Sequence, residues 1–243
     1  MQALFQTLLY QPIFNALVAL YNIIPDVGVG ILIITVIIKL ALYPLTNSSL
    51  KSQKKLTDIQ PKLQELKTKH KDDKQALATA TMNLYKESKV NPLASCLPLL
   101  LQLPVFLALF WVLKDSLGTT DFGLLYSFVK TPEVLQPISL GFVDLSQPNI
   151  VLAVLAGAAQ FWQAKMTQTK KAPKVAGEAS KDENMLSSMN KQMLYFMPVL
   201  TVIIGFQLAG GVALYWFLST LLTALQQLYI LKKDKKPEVE VIS

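Results

Sequence analysis

Forty consecutive residues, Gln192 to Leu231, contain no Asp, Glu, Lys, Arg or His. As a single α-helix such a run would rise about 60 Å, twice the roughly 30 Å hydrocarbon core of a bilayer. In lipid the backbone must satisfy its own hydrogen bonds, so the run is predicted to fold as two helical spans, 192–208 and 212–231. Ala209, Gly210 and Gly211 are the expected turn, because paired glycines interrupt a helix and accept positive φ. Three more apolar runs predict spans over 27–45, 92–113 and 149–165. The overall composition agrees, at 52% hydrophobic residues and a mean hydropathy of +0.38. The reading is an all-α integral membrane protein with five transmembrane helices.

Lysine placement orients it. All 23 basic residues are Lys, with ten in 46–91, six in 165–191 and four in 232–243. The segment 114–148 holds only Lys114 and Lys130 against Asp115, Asp121, Glu133 and Asp144. Lysine-rich connections stay in the cytoplasm, which places 46–91, the loop 166–191 and the tail 232–243 inside, and the N-terminus and the 114–148 loop outside. The net charge of +7 is therefore a topology signal first, although basic loops also suit anionic lipid or ribosomal RNA.

Residues 1–26 are apolar but lack the basic n-region of a signal peptide, since no lysine precedes position 39. Pro12 and the polar stripe Gln11, Asn15 and Asn22 predict an amphipathic helix over about 12–24 in the outer interface. A sixth span is the alternative. The 46–91 segment differs in kind: Leu56, Ile59, Leu63 and Leu66 are spaced 3, 4, 3, and Leu77, Ala80 and Leu84 offer a matching stripe. It reads as a helical hairpin turning at His70–Asp73, with a restart at Pro61, where the backbone donor is missing. A solvated linker is the competing reading.

Lys39 is the anomaly, lying inside an apolar run that has no other charge between Asp26 and Lys51. Even mild insertion scales charge about 2.5–3.5 kcal/mol for an ammonium at the centre of a span. Snorkelling to the interface would lower that cost. The other apolar runs offer no carboxylate, so a buried salt bridge and a proton relay are both unsupported. Neutral polar residues are plentiful there: Gln102, Gln160, Gln163, Gln207, Ser219, Thr220, Thr223, Gln226 and Gln227, with Thr35 one turn before Lys39 on the same face. Helix-to-helix hydrogen bonding accounts for many of them singly. As a set beside a cation they suit a wet interior that holds a passing peptide.

Little supports catalysis. His70 falls in a predicted turn, Cys96 is the sole cysteine in an apolar run, and no phosphate loop, HExxH or GxSxG occurs. A Ser–Lys pair of Lys39 with Ser95 or Ser219 is the one conceivable hydrolase arrangement.

Three stretches, ITVIIKLALYPLTNSSLKSQKKLTDIQPKLQELK, NPLASCLPLLLQLPVFLALFWVL and FMPVLTVIIGFQLAGGVALYWFLSTLLTALQQ, resemble the YidC/Oxa1/Alb3 family of membrane protein insertases, and with the third span they cover nearly the whole chain in order. The resemblance implies five spans around a hydrophilic groove open to cytoplasm and lipid, with the hairpin over its mouth. It implies a short bacterial type in the inner membrane, no enzyme activity and no cofactor, metal or nucleotide. Lys39 stands where relatives usually carry arginine, which keeps the charge and loses the bidentate fork. Thr35, Gln102, Gln160, Tyr215 and Trp216 would line or border the groove. Leu103, Phe106, Met197 and Phe206 would form an apolar slide on the second and fourth spans. The implied partners are nascent membrane proteins and the bilayer, with the ribosome, the signal recognition particle or its receptor and the Sec translocon as further candidates, and no DNA. The short tail, with four lysines against three acids, argues against a firm ribosome grip. A small channel or carrier, or a structural assembly factor, remains the competing class.

Overall fold

The computed structural model of the chain describes residues 2–70, 73–90, 97–117, 122–167 and 192–233. Ser95, Cys96, most of the 166–191 loop and the last ten residues lie outside these, as do the expectations placed on them.

The chain opens with a short helix α1 (Gln2–Phe5), a π-helical turn (Gln6–Tyr10) and α2 (Gln11–Ile23). Pro12 sits in the first turn of α2, where its missing N–H costs nothing. The apolar face of α2 buries Phe14, Leu17 and Val18 against the core. Its polar stripe faces the segment after residue 122. Asn15 Nδ2 donates to Leu124 O at 3.0 Å, Asn15 Oδ1 accepts from Tyr126 N at 2.7 Å, and Asn22 Nδ2 donates to Lys130 O at 2.7 Å. The stripe thus meets protein backbone.

Asp26 caps α3 (Val27–Ala41), accepting the Val29 N–H at 3.1 Å. The same carboxylate accepts the Ser139 hydroxyl at 2.5 Å and the Leu140 N–H at 2.7 Å. Those residues belong to a hairpin of β1 (Ile138–Ser139) and β2 (Val143–Asp144), paired antiparallel with Ser139 opposite Val143. One carboxylate therefore ties this loop to the start of α3.

The expected 27–45 span is not one straight rod. After Ala41 the axis turns by 68° at Leu42 and continues as α4 (Tyr43–Asp58). Pro44 causes the break, since it cannot donate to the Leu40 carbonyl and its ring crowds that group. α4 ends at Ile59, and α5 (Gln60–Lys69) restarts with Pro61 in its first turn. α6 (Lys74–Glu87) packs back on α5, and Asp73 caps it by accepting the N–H groups of Gln75 and Ala76 at 3.0 and 2.9 Å. Leu63 and Leu84 are buried, and Leu56, Ile59, Leu66, Leu77 and Ala80 are half-buried.

α7 (Leu97–Ser116) rises about 30 Å. Asn149 caps α8 (Ile150–Thr167), which packs closely on α9 (Met197–Gly205) and most extensively on α10 (Gly210–Lys233). Gly157 makes the α8–α9 approach possible, because a Cβ there would lie 2.5 Å from Val202 Cγ2 and 2.9 Å from Pro198 O. Such small residues let helix backbones meet without a bulky layer between them.

The expected glycine turn is a correction. Gly210 and Gly211 are the first residues of α10, and neither has positive φ. Their N–H groups donate to Gln147 O and Leu145 O at 2.8 and 2.9 Å. A Cβ on Gly210 would meet Gln147 O at 3.0 Å and Asp144 O at 3.2 Å, so glycine is favoured by the closeness of the 144–147 backbone.

Leu17, Val27, Ile31, Leu109, Val112 and Tyr215 lie at the core where α2, α3, α7 and α10 meet. Apolar surface is also turned outward: Leu32, Val36, Ile37 and Leu40 on α3, and Val151, Val154 and Leu155 on α8. Continuous apolar faces of this kind are tolerated against lipid. By length and composition, Gly210–Lys232 alone among the described helices suffices to cross a membrane. The bent pair α3 and α4 passes together, and Ile150–Met166 and Leu194–Gly205 are shorter apolar helices.

Candidate functional site: a lysine held by neutral side chains

Lys39 lies in the last turn of α3, just before the Pro44 bend. It is half-buried, and its Nζ donates to Thr223 Oγ1 on α10 at 2.9 Å and to Gln102 Oε1 on α7 at 3.4 Å. Gln102 Nε2 in turn donates to the Tyr215 hydroxyl. Thr223 spends its own proton on Ser219 O at 2.8 Å, leaving its oxygen lone pairs for the ammonium. Three helices thus converge on one cation, and each described partner is neutral.

The supporting wall is aromatic. Phe106 packs edge-on to Trp216 with ring centroids 5.4 Å apart, and tilted against Tyr215 at 6.4 Å. Tyr215 is only 1% exposed, which fixes its hydroxyl toward Gln102. Phe106, expected on the slide, is half-buried against these rings. Leu103, Met197 and Phe206 are 53%, 42% and 50% exposed.

Two residues expected in the groove have other partners. Thr35 is fully buried and donates to Ile31 O at 2.6 Å within its own helix. Gln160 accepts from Thr201, joining α8 to α9.

Thr223 was among the polar residues of the apolar runs but was not singled out in the sequence. The signal was its spacing: Tyr215, Ser219, Thr223 and Gln227 recur every four residues, one polar ladder down α10. Gln227 is 5% exposed, and its Oε1 accepts no hydrogen bond among the described residues. A buried acceptor left unmatched costs about 1–3 kcal/mol unless water or a visiting donor supplies the proton. Among the described residues, no group of three or more His, Cys, Asp or Glu side chains could hold a metal ion.

The fold is that of a helical membrane protein with a half-buried cation between its helices, and the chain belongs to the 60Kd inner membrane protein family, whose model matches residues 19–237. The relatives it resembles bear the name membrane protein insertase YidC. The protein of Fusobacterium nucleatum subsp. nucleatum is 36% identical over 206 residues, covering 85% of this chain and 86% of its own. That of Legionella pneumophila (strain Corby) is 34% identical over 233 residues, covering 95% of this chain but 37% of its own. The chain thus spans most of the first relative and about a third of the second. In fold it is similar to a crystal structure of an active YidC insertase with its first transmembrane domain resolved, at a TM-score of 0.57 and 24% identity over 90% of this chain and 46% of that one.

Proposed function

We propose that this chain is a membrane protein insertase that works without chemistry of its own. The observation that carries the reading is Lys39, a cation between three helices whose described partners, Thr223 and Gln102, are neutral. A short polar segment of a nascent membrane protein is drawn to this ammonium, where Thr223, Gln102, Tyr215 and the unmatched Gln227 oxygen lower its desolvation cost. Trp216 borders the groove, while Thr35 and Gln160, bonded to Ile31 O and Thr201, support the packing behind it. The apolar segment of the same substrate then leaves past Leu103, Phe106, Met197 and Phe206 into lipid, releasing about 0.8 kcal/mol per buried CH₂.

In this reading five helices span the bilayer. The N-terminus and the 114–148 loop lie outside, and the α5–α6 hairpin lies in the cytoplasm, where it meets substrate or a targeting factor. The lysine-rich composition of the hairpin and of the 166–191 and 232–243 segments supports that orientation. The ribosome, the signal recognition particle and its receptor, and the Sec translocon are the partners such a hairpin would meet.

Reconstituted liposomes test the proposal with a single-span substrate whose translocated tail is acidic. Lys39→Arg supports insertion and Lys39→Glu abolishes it. Equal insertion by both variants refutes the electrostatic step, and ion flux without substrate would indicate a channel instead.

A further inference from the structure

At the end of α7 that meets the N-terminal segment, a cleft of about 320 Å³ is lined by Phe5, Gln6, Tyr10, Trp111, Asp115 and Leu124. We propose that this cleft binds the headgroup of a zwitterionic, amine-bearing phospholipid of the phosphatidylethanolamine type.

The lining has the chemistry of an ammonium site. The Tyr10 hydroxyl donates to Asp115 Oδ2 at 3.4 Å, and both residues line the cleft. Tyr10 and Trp111 supply two aromatic rings, and a cation within about 6 Å of such a ring is attracted to its face. Trp111 already attracts one, since Lys114 Nζ lies 4.9 Å from its ring centroid. Asp115 lines the cleft, and Lys114 Nζ reaches it by lying over the ring of Trp111, another lining residue, so a negative and a positive group both border the site. A headgroup that joins a phosphate to an ammonium carries the complementary pair, the phosphate for Lys114 and the ammonium for Asp115 and the rings. An anionic headgroup without the amine would instead meet the Asp115 carboxylate unpaired.

The surroundings point to a lipid as the source. Leu100, Leu103, Leu107 and Trp111, exposed by 62%, 53%, 40% and 42%, follow one face of α7 up to the cleft. Leu4 and Leu8 are exposed beside it. Acyl chains lying on that track would end at the cleft, where an interfacial tryptophan and the first charges after the apolar run mark headgroup depth. The cleft volume is at the lower end for small-molecule sites, which fits a headgroup. One wall is the π-helical turn Gln6–Tyr10, which contributes Gln6 and Tyr10; such turns recur at functional sites.

The test is native mass spectrometry of the purified full chain offered equal amounts of phosphatidylethanolamine and phosphatidylglycerol with the same acyl chains. The wild type retains phosphatidylethanolamine about tenfold over phosphatidylglycerol. Asp115→Asn and Trp111→Leu bring the ratio near one while melting as the wild type does in phosphatidylglycerol alone. N-acetylated phosphatidylethanolamine, offered to the wild type, is retained no better than phosphatidylglycerol, an arm that does not depend on any variant folding. Equal retention of both lipids by the wild type, an undiminished preference in both variants, or full retention of the acetylated lipid overturns the proposal.

Discussion

Thr223→Val removes one hydroxyl and almost no volume, and with it the bond between α10 and the Lys39 ammonium. In soluble proteins a hydrogen bond to a charged group contributes about 1.5–3 kcal/mol. Between membrane helices the average is nearer 0.6 kcal/mol, because the separated helices find other partners. The 2.9 Å distance and the weaker 3.4 Å contact to Gln102 decide between these, since the second partner cannot replace the first. A loss of about 1–2 kcal/mol is expected. Part would come from the Thr223–Ser219 bond, which Thr223→Ser preserves. A double-mutant cycle with Lys39→Met separates the two: in that background Thr223→Val should cost under about 0.5 kcal/mol, leaving a coupling near 1 kcal/mol. Unfolding in detergent micelles measures all four corners. A coupling indistinguishable from zero would mean that water, and not α10, holds the ammonium, and the site as described would fall.

Gly157→Ala sets helix propensity, a gain of about 1 kcal/mol, against contacts of 2.5 Å to Val202 Cγ2 and 2.9 Å to backbone Pro198 O. The clash wins, with a net loss of about 1–2 kcal/mol; Val202→Ala should recover part of it, and thermal melting of both variants checks this. For Asp26, burial raises the carboxyl pKa, but the hydrogen bonds from Leu140, Ser139, Val29 and Gly28 outweigh it and leave the group below its ordinary 3.8. A group lowered on folding stabilises above its unfolded value and loses that contribution as pH falls through the folded one. The tether should therefore hold near neutrality and weaken below about pH 4, read as a fall in the protection of the Leu140 amide relative to its unprotected exchange rate at the same pH, while Asp26→Asn should show low protection throughout.

Much of this architecture is legible in the chain. The uncharged runs mark the apolar helices, and Pro61 and Asp73 mark the restart and cap of the hairpin, because helix breakers and caps act through their own backbone neighbours. Lys39 stands out for the same local reason, a charge where charge is costly. The bend at Leu42 was legible too, in Pro44, yet the length of the apolar run hid it. The role of Gly210 could not be read, since a glycine placed for φ and one placed for close approach look alike until the 144–147 backbone is seen.

What the sequence determined alone is that this chain is a helical membrane protein with a cation in its apolar region and its other lysines gathered in the polar segments that flank its apolar runs. Hydrophobic length and charge distribution are one-dimensional quantities, and the bilayer reads them directly. Which neutral groups receive the cation was decided only by the tertiary structure. Thr223 is 184 residues from Lys39, and Gln102 is 63. The polar ladder on α10 includes Thr223, but spacing alone does not say that it, and not Thr35, meets the cation, or that Gln102 does and Gln160 does not. Helix packing decides this, because it turns one hydroxyl toward the ammonium and leaves another bonded to its own backbone.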